Sequence, residues 1–116
     1  MKINVFGDTI SAMVCAGCLA ETGNNITLIG ERIGDIAEPG LVELLDSQLE
    51  SGRLTITNQF DAQAECHIIA LNPDDCSNAK SIAKQIAGKA RSDSTLIVRS
   101  NFTIGLAKEL AQTANL

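Results

Sequence analysis

The chain has few aromatic and few basic residues. Its 116 residues include no Trp, no Tyr and three Phe, whereas proteins that bind single-stranded nucleic acid stack bases on aromatic rings. Nine Lys and Arg are outnumbered by fourteen Asp and Glu, so the net charge is -5. Because nucleic acid and anionic lipid both attract positive fields, we expect neither a nucleic-acid partner nor a membrane partner.

Long apolar runs are also absent. Gly7 and Asp8 interrupt the N-terminal apolar stretch that a secretory signal would need, so we expect a cytoplasmic protein whose four cysteines are reduced thiols. The cysteine spacing does not resemble that of a zinc knuckle or ribbon, and no metal site is predicted. Cys15 and Cys18 lie in the middle of a predicted helix, where packing is favoured over a redox role because the helix N-terminus is distant.

Short apolar strands alternate with helical patterns along the chain. The strands are predicted at 3–6, 26–29, 54–57, 67–71 and 95–98, and the helices at 10–21, 39–50, 77–90 and 104–116. Continuous apolar strands separated by helices are typical of a parallel sheet that is covered on both faces. The pattern therefore predicts a doubly wound α/β domain, in which ligands bind beyond the carboxyl ends of the strands.

Three other features have structural interpretations. The single histidine, His67, begins the fourth strand, at the end opposite such a site, so we expect it at the surface or strand edge and not in catalysis. Asp74 and Asp75 precede a helix and are expected to cap it. A stripe of leucines in the second helix is interpreted as core packing; it comprises Leu41, Leu44, Leu45 and Leu49.

Several segments resemble those of one family. They are MKINVFG at 1–7, CLAETG at 18–23, EPGL at 38–41, GRL at 52–54, IALNP at 69–73 and SNFTIG at 100–105. In this order and spacing they are similar to the N-terminal domain of the UDP-glucose/GDP-mannose 6-dehydrogenases. The resemblance implies a Rossmann-like fold with five parallel strands in the order 3-2-1-4-5 and helices on both faces. Residues 1–116 would form a single dinucleotide-binding-type domain or a fragment of a longer chain.

The resemblance also implies a cofactor site for NAD. The cofactor positions would be Gly7, Thr9, Ile10 and Ala12 at the pyrophosphate, Glu31 or Arg32 at the adenosine ribose, and Asn72 and Ser100 on the nicotinamide side. Gly30 stands where the family has its ribose-binding acid, and Arg32 would favour NADP over NAD. The family's catalytic residues lie beyond this segment, so no catalytic residue is assigned here.

The first turn departs from the family's glycine pattern. Thr9 replaces the second glycine, so a β-branched side chain would occupy space in which the pyrophosphate contacts bare backbone. Asp8 adds a negative charge beside the expected anion. Ala12 replaces the third glycine, a substitution that is commonly tolerated. We predict weakened cofactor binding and no catalysis without a further catalytic domain or a homo-oligomer partner. The alternative is a non-enzymatic interaction module that kept the fold and binds no cofactor.

Overall fold

The chain folds into a five-stranded parallel sheet with helices against it, as a computed structural model describes for residues 1–30, 40–72, 76–91, 93–99, 110 and 112–113. The elements are β1 (Lys2–Phe6), α1 (Ile10–Glu21), β2 (Asn25–Ile29), α2 (Leu41–Ser51), β3 (Leu54–Thr57), β4 (Cys66–Ile69), α3 (Cys76–Lys89) and β5 (Thr95–Val98). Every strand pair is parallel, and the order β3-β2-β1-β4-β5 confirms the predicted topology.

The inner strands of the sheet place their side chains alternately in two apolar cores, one on each face. Val5 of β1 lies in register with Leu28 of β2 and Ile68 of β4, and all three enter a core that is shared with α1 and α2. Phe6 and Ile69 point to the other face, into a core that contains α3 and Leu110. Because successive residues of a strand face opposite sides, an apolar strand at the centre of the sheet fills both cores.

Helix α1 packs closely because most of its buried side chains are small. Its buried residues are Ala12, Met13, Cys15, Ala16, Gly17 and Ala20. A Cβ atom at Gly17 would lie 2.8 Å from Leu44 Cδ2 of α2, so this glycine gives α2 room to approach. Cys15 is buried while Cys18 is exposed, and desolvation raises the pKa of the Cys15 thiol. The packing interpretation is therefore supported for Cys15, whereas the exposed Cys18 does not pack into the core.

The largest differences from the predicted element boundaries are at the start of α2 and at the end of β4, while the other described ends agree to within one residue. Helix α2 begins at Leu41, two residues later than predicted, because Gly40 adopts a left-handed conformation with φ of 79°. Strand β4 ends at Ile69 and not at residue 71. The predicted loop at 30–37, apart from Gly30, and the Asp74–Asp75 cap lie outside the described residues, as does most of the helix predicted at 104–116, of which positions 110 and 112–113 are helical. None of the described helices combines the length and apolar character required to cross a membrane.

The prediction that His67 lies at the surface is wrong, because its side chain is 0% exposed. His67 does lie near the N-terminal end of β4. The neighbouring strand β1 extends beyond this point, however, and its residue Asn4 is paired with His67 in the strand register. The aromatic ring of Phe60 covers it edge-on, with ring centroids 6.2 Å apart. A histidine in a central strand is therefore enclosed by its neighbours even at the strand end.

Hydrogen bonds fix the protonation pattern of this buried ring. Asn4 Oδ1 accepts from the Asp61 backbone N–H at 3.0 Å, so Asn4 Nδ2 donates to Asp61 O at 2.8 Å and to His67 Nδ1 at 3.1 Å. The other ring nitrogen, Nε2, donates to Ser94 Oγ at 3.1 Å, and Ser94 Oγ donates to the Arg91 carbonyl. His67 is thus neutral with its proton on Nε2. Desolvation lowers the pKa of His67, against a smaller opposing effect of the Asp61 charge.

Candidate functional site

The turn after β1 is held tightly against the neighbouring strand ends. Gly7 donates its N–H to Ile29 O at 3.0 Å. A Cβ atom at Gly7 would lie 2.3 Å from the Ala70 carbonyl oxygen, and φ at this residue is 146°. Both the space and the backbone conformation therefore require glycine. The first glycine of the predicted cofactor turn keeps its structural role.

Gly30 brings the end of β2 onto the same turn. A Cβ atom there would lie 2.5 Å from Gly7 O and 3.4 Å from Asp8 N, and the Gly30 N–H donates to Thr57 O at 3.3 Å. The first of these distances is too short for a real contact. The described backbone therefore leaves no room for a side chain at this position, where the family resemblance implies an acid.

Thr9 caps helix α1 with its own hydroxyl group. Its backbone is extended, at φ -82° and ψ 162°, and Oγ1 accepts from the Ala12 N–H at 3.0 Å. The same hydroxyl donates to the Ala70 carbonyl at 3.0 Å. Backbone N–H groups in the first helical turn have no partner within the helix, and these are the groups that bind anions at helix N-termini. Thr9 therefore satisfies one donor that a bound phosphate would otherwise use.

A cleft of about 320 Å³ opens beside this turn, between the carboxyl ends of the strands and α3. Apolar side chains come from Phe6, Ile29, Leu71 and Ile82, and side-chain amides come from Asn58, Asn78 and Gln85. Gly7, Asp8 and Gly30 complete its described lining. The cleft adjoins β1 where the strand order reverses, which is the position at which doubly wound folds bind ligands.

A second cleft of about 280 Å³ continues along α3 and shares Asn58 and Gln85 with the first. Gln59, Phe60 and Lys89 are its other lining residues. The Lys89 side chain supplies a positive charge there, near the C-terminal end of α3. The two clefts together form a groove between α3 and the connection from β3 to β4.

The predicted cofactor residues are brought together in part. Gly7 lines the first cleft and Thr9 lies in the turn beside it, whereas Ile10 is exposed at the start of α1 and Ala12 is buried beneath the Thr9 cap. Asn72 is exposed. The remaining predicted residues, Glu31, Arg32 and Ser100, lie outside the described part of the chain.

Sequence reasoning missed the amides of the cleft. Asn58 follows β3 at its carboxyl end, which is one available signal. Asn78 and Gln85 are seven residues apart in α3, a spacing that places two side chains on one face of a helix. None of these amides belongs to the family motifs from which the cofactor residues were predicted.

The strand order, the glycine turn at the switch point and the adjoining cleft define a Rossmann-type α/β domain. No protein-family model matches the chain. It is 28% identical to UDP-glucose 6-dehydrogenase of Pseudomonas aeruginosa over 136 residues, which covers 100% of this chain and 30% of that protein. It is 37% identical to GDP-mannose 6-dehydrogenase of Pseudomonas syringae over 70 residues, which covers 52% of this chain and 16% of the relative.

Solved structures show the same fold over the whole chain. The UDP-D-ManNAc dehydrogenase of Pyrococcus horikoshii matches with a TM-score of 0.84 at 20% identity, and GDP-mannose dehydrogenase of Pseudomonas aeruginosa with 0.81 at 22%. Each match covers 100% of this chain and 33% of the other. In sequence and in fold the chain is thus similar to the UDP-glucose/GDP-mannose 6-dehydrogenases, the family that its motifs resemble. It spans about a third of the length of these relatives.

Proposed function

We propose that this chain is an NAD-binding-type domain in which dinucleotide binding is weakened, and that it performs no oxidation alone. Homology to nucleotide-sugar 6-dehydrogenases supports the cofactor class. The weakening is supported by the hydrogen bonds of the Thr9 hydroxyl, which accepts from the Ala12 N–H and donates to Ala70 O. NADP is the alternative cofactor, through Arg32, and the protein would act in the cytoplasm.

The weakening has two physical sources. A pyrophosphate on the first turn would have to compete with Thr9 Oγ1 for the Ala12 N–H, and one hydrogen bond contributes about 1 kcal/mol net. The exposed Asp8 carboxylate would repel the phosphate charges from the adjoining position. A loss of about 1.4 kcal/mol lowers affinity tenfold. Together these effects are expected to lower NAD affinity by at least that factor.

Catalysis would require groups from outside the described cleft. Its described side chains are apolar groups, amides and one carboxylate, and none of them matches the catalytic cysteine and lysine that the family resemblance implies. We propose that a further catalytic domain or a homo-oligomer partner supplies the sugar site. The chemistry would then be the family's two-step oxidation of a sugar C6 alcohol to a carboxylate.

Calorimetric titration with NAD, NADH and NADPH tests the proposal in wild type and in Thr9→Gly. We expect wild type to bind weakly and Thr9→Gly to bind NAD about tenfold more tightly, since the competing acceptor is gone. Replacement of an N-cap threonine by glycine costs only a few tenths of a kcal/mol, so the fold should persist. Thr22→Gly is the matched control, because Thr22 lies at the other end of α1 and its hydroxyl donates to Leu19 O.

The outcome separates the two functional hypotheses. Equal NAD affinity in wild type and folded Thr9→Gly would contradict the competition mechanism. No heat and no thermal shift with any dinucleotide, in either protein, would favour the interaction module that binds no cofactor. The helical content of each variant, measured by circular dichroism, excludes a loss of folding as the cause.

A further inference from the structure

The first cleft combines apolar surface with hydrogen-bonding amides. Ile29, Leu71 and Ile82 offer contacts to the face of a planar ring, while Asn58 and Gln85 offer both donors and acceptors to its edge. A purine base has these two properties. The volume of about 320 Å³ lies at the lower end of small-molecule sites, roughly 300 to 1,000 Å³, which suits a nucleoside better than a whole dinucleotide.

Asp8 is the only acidic or basic residue among the described residues that line this cleft. It lies beside Gly30, because a Cβ atom on Gly30 would be 3.4 Å from Asp8 N. Rossmann domains carry the acid that binds ribose hydroxyls at the end of β2. Here that strand end has no side chain of its own, but it adjoins the backbone of Asp8, a residue that lines the cleft. A carboxylate accepts several hydrogen bonds and can bind both hydroxyls of a ribose diol.

The same residues disfavour a phosphate. Thr9 Oγ1 already accepts from the Ala12 N–H of the first helical turn, and the Asp8 charge repels a second anion. Lys89, the cation of the neighbouring cleft, does not line the first cleft. Diol binding and phosphate repulsion thus both originate at the first turn.

We propose that this cleft selects a purine nucleoside without 5′-phosphates and that Asp8 binds the ribose diol in place of the acid missing at Gly30. The inference rests on the proposed function, since it assigns the same nucleotide cleft, but it predicts a reversed preference. A typical Rossmann site gains affinity from the diphosphate at its helix N-terminus. This cleft loses affinity as phosphates are added.

Titration with adenosine, 2′-deoxyadenosine, AMP and ADP, by calorimetry or by chemical-shift changes, tests this order. In wild type we expect adenosine to bind most tightly, with ADP and 2′-deoxyadenosine each weaker by about tenfold. In Asp8→Asn, adenosine binding should weaken severalfold and ADP binding should improve, so the adenosine-to-ADP preference falls at least tenfold. Glu50→Gln removes the same charge from an exposed position of α2 and should leave that preference unchanged.

ADP binding as tight as adenosine binding in wild type would overturn the proposal, as would equal binding of adenosine and 2′-deoxyadenosine. An unchanged preference in Asp8→Asn, or no adenosine binding at millimolar concentration, would do the same. These results are independent of the Thr9→Gly experiment. Tighter NAD binding by Thr9→Gly together with a preference for ADP would refute nucleoside selection while leaving the weakened dinucleotide site in place.

Discussion

Acid should destabilise this protein through one buried histidine. The folded state holds His67 neutral, because Asn4 donates a hydrogen bond to Nδ1 and leaves no place for a second ring proton. The unfolded chain binds that proton with a pKa near 6.5, and burial lowers the pKa of His67 in the folded state. The stability that neutral His67 gives to the folded state is therefore complete well above pH 6.5. It is lost as the pH falls through the lower pKa that His67 has in the folded state. One proton sets a maximum slope of about 1.4 kcal/mol per pH unit.

The substitution Asn4→Asp should reverse this dependence. A carboxylate at position 4 would accept from Nδ1–H, and a neighbouring negative charge favours the protonated ring. The folded-state pKa of His67 would then rise above its unfolded value. The variant also loses the donor to Asp61 O, so it should be less stable than wild type at pH 7.5. On acidification to pH 5.5 it should nevertheless gain stability where wild type loses it.

Urea unfolding between pH 7.5 and 5.5 measures both slopes. The chain has one histidine, and the upper part of this range lies well above the ordinary pKa values of carboxylates, so a slope there can be assigned to His67. His67→Gln removes the titrating ring and should remove most of the wild-type slope. A flat wild-type profile, or equal slopes in wild type and Asn4→Asp, would refute the hydrogen-bond assignment.

Two further predictions concern the glycine turn and the thiols. Gly30→Asp restores the acid of the family, yet its Cβ would meet Gly7 O at 2.5 Å. We expect urea unfolding to show a loss of about 1–3 kcal/mol and calorimetry to show no gain in NAD affinity; unchanged stability would contradict the close approach. Iodoacetamide at pH 7.5 should alkylate the exposed Cys18 well before Cys15 and Cys66, because desolvation raises the pKa of both buried thiols. Equal rates in a peptide-level mass-spectrometric time course would contradict their burial.

The strands and helices could be predicted because their signals are local. Helix α1 has its predicted bounds of 10–21, and β3 and β5 match residue for residue, since each is a short periodic segment bordered by turn residues. The family motifs then supplied the strand order, which local patterns alone do not determine. Gly40 shows the limit of this reasoning, because its left-handed backbone delays the start of α2.

Contacts between distant segments could not be predicted in the same way. Asn4 and His67 are 63 residues apart, and their hydrogen bond depends on the register of β1 with β4. Without that register, a histidine at a strand end is expected to be exposed. Thr9 illustrates the intermediate case: its position against a cofactor was predicted as a steric obstacle, but the bond from its hydroxyl to Ala70 O requires the end of β4 to be located first.

The departures from the family pattern at Asp8, Thr9 and Gly30 depend on one another physically. The close approach of Gly30 to Gly7 leaves no room for an acidic side chain at the end of β2, and Asp8 N lies 3.4 Å from the position that a Gly30 Cβ would take. The Thr9 cap holds the same turn against Ala70 O. Thr9→Gly alone would free the Ala12 N–H for a phosphate and would leave Asp8 as the carboxylate beside the ribose. Substitutions at neighbouring positions are often not additive. Each of these positions is therefore expected to alter the ligand preference of the cleft, and the effects of combined substitutions are expected to differ from the sum of the single effects.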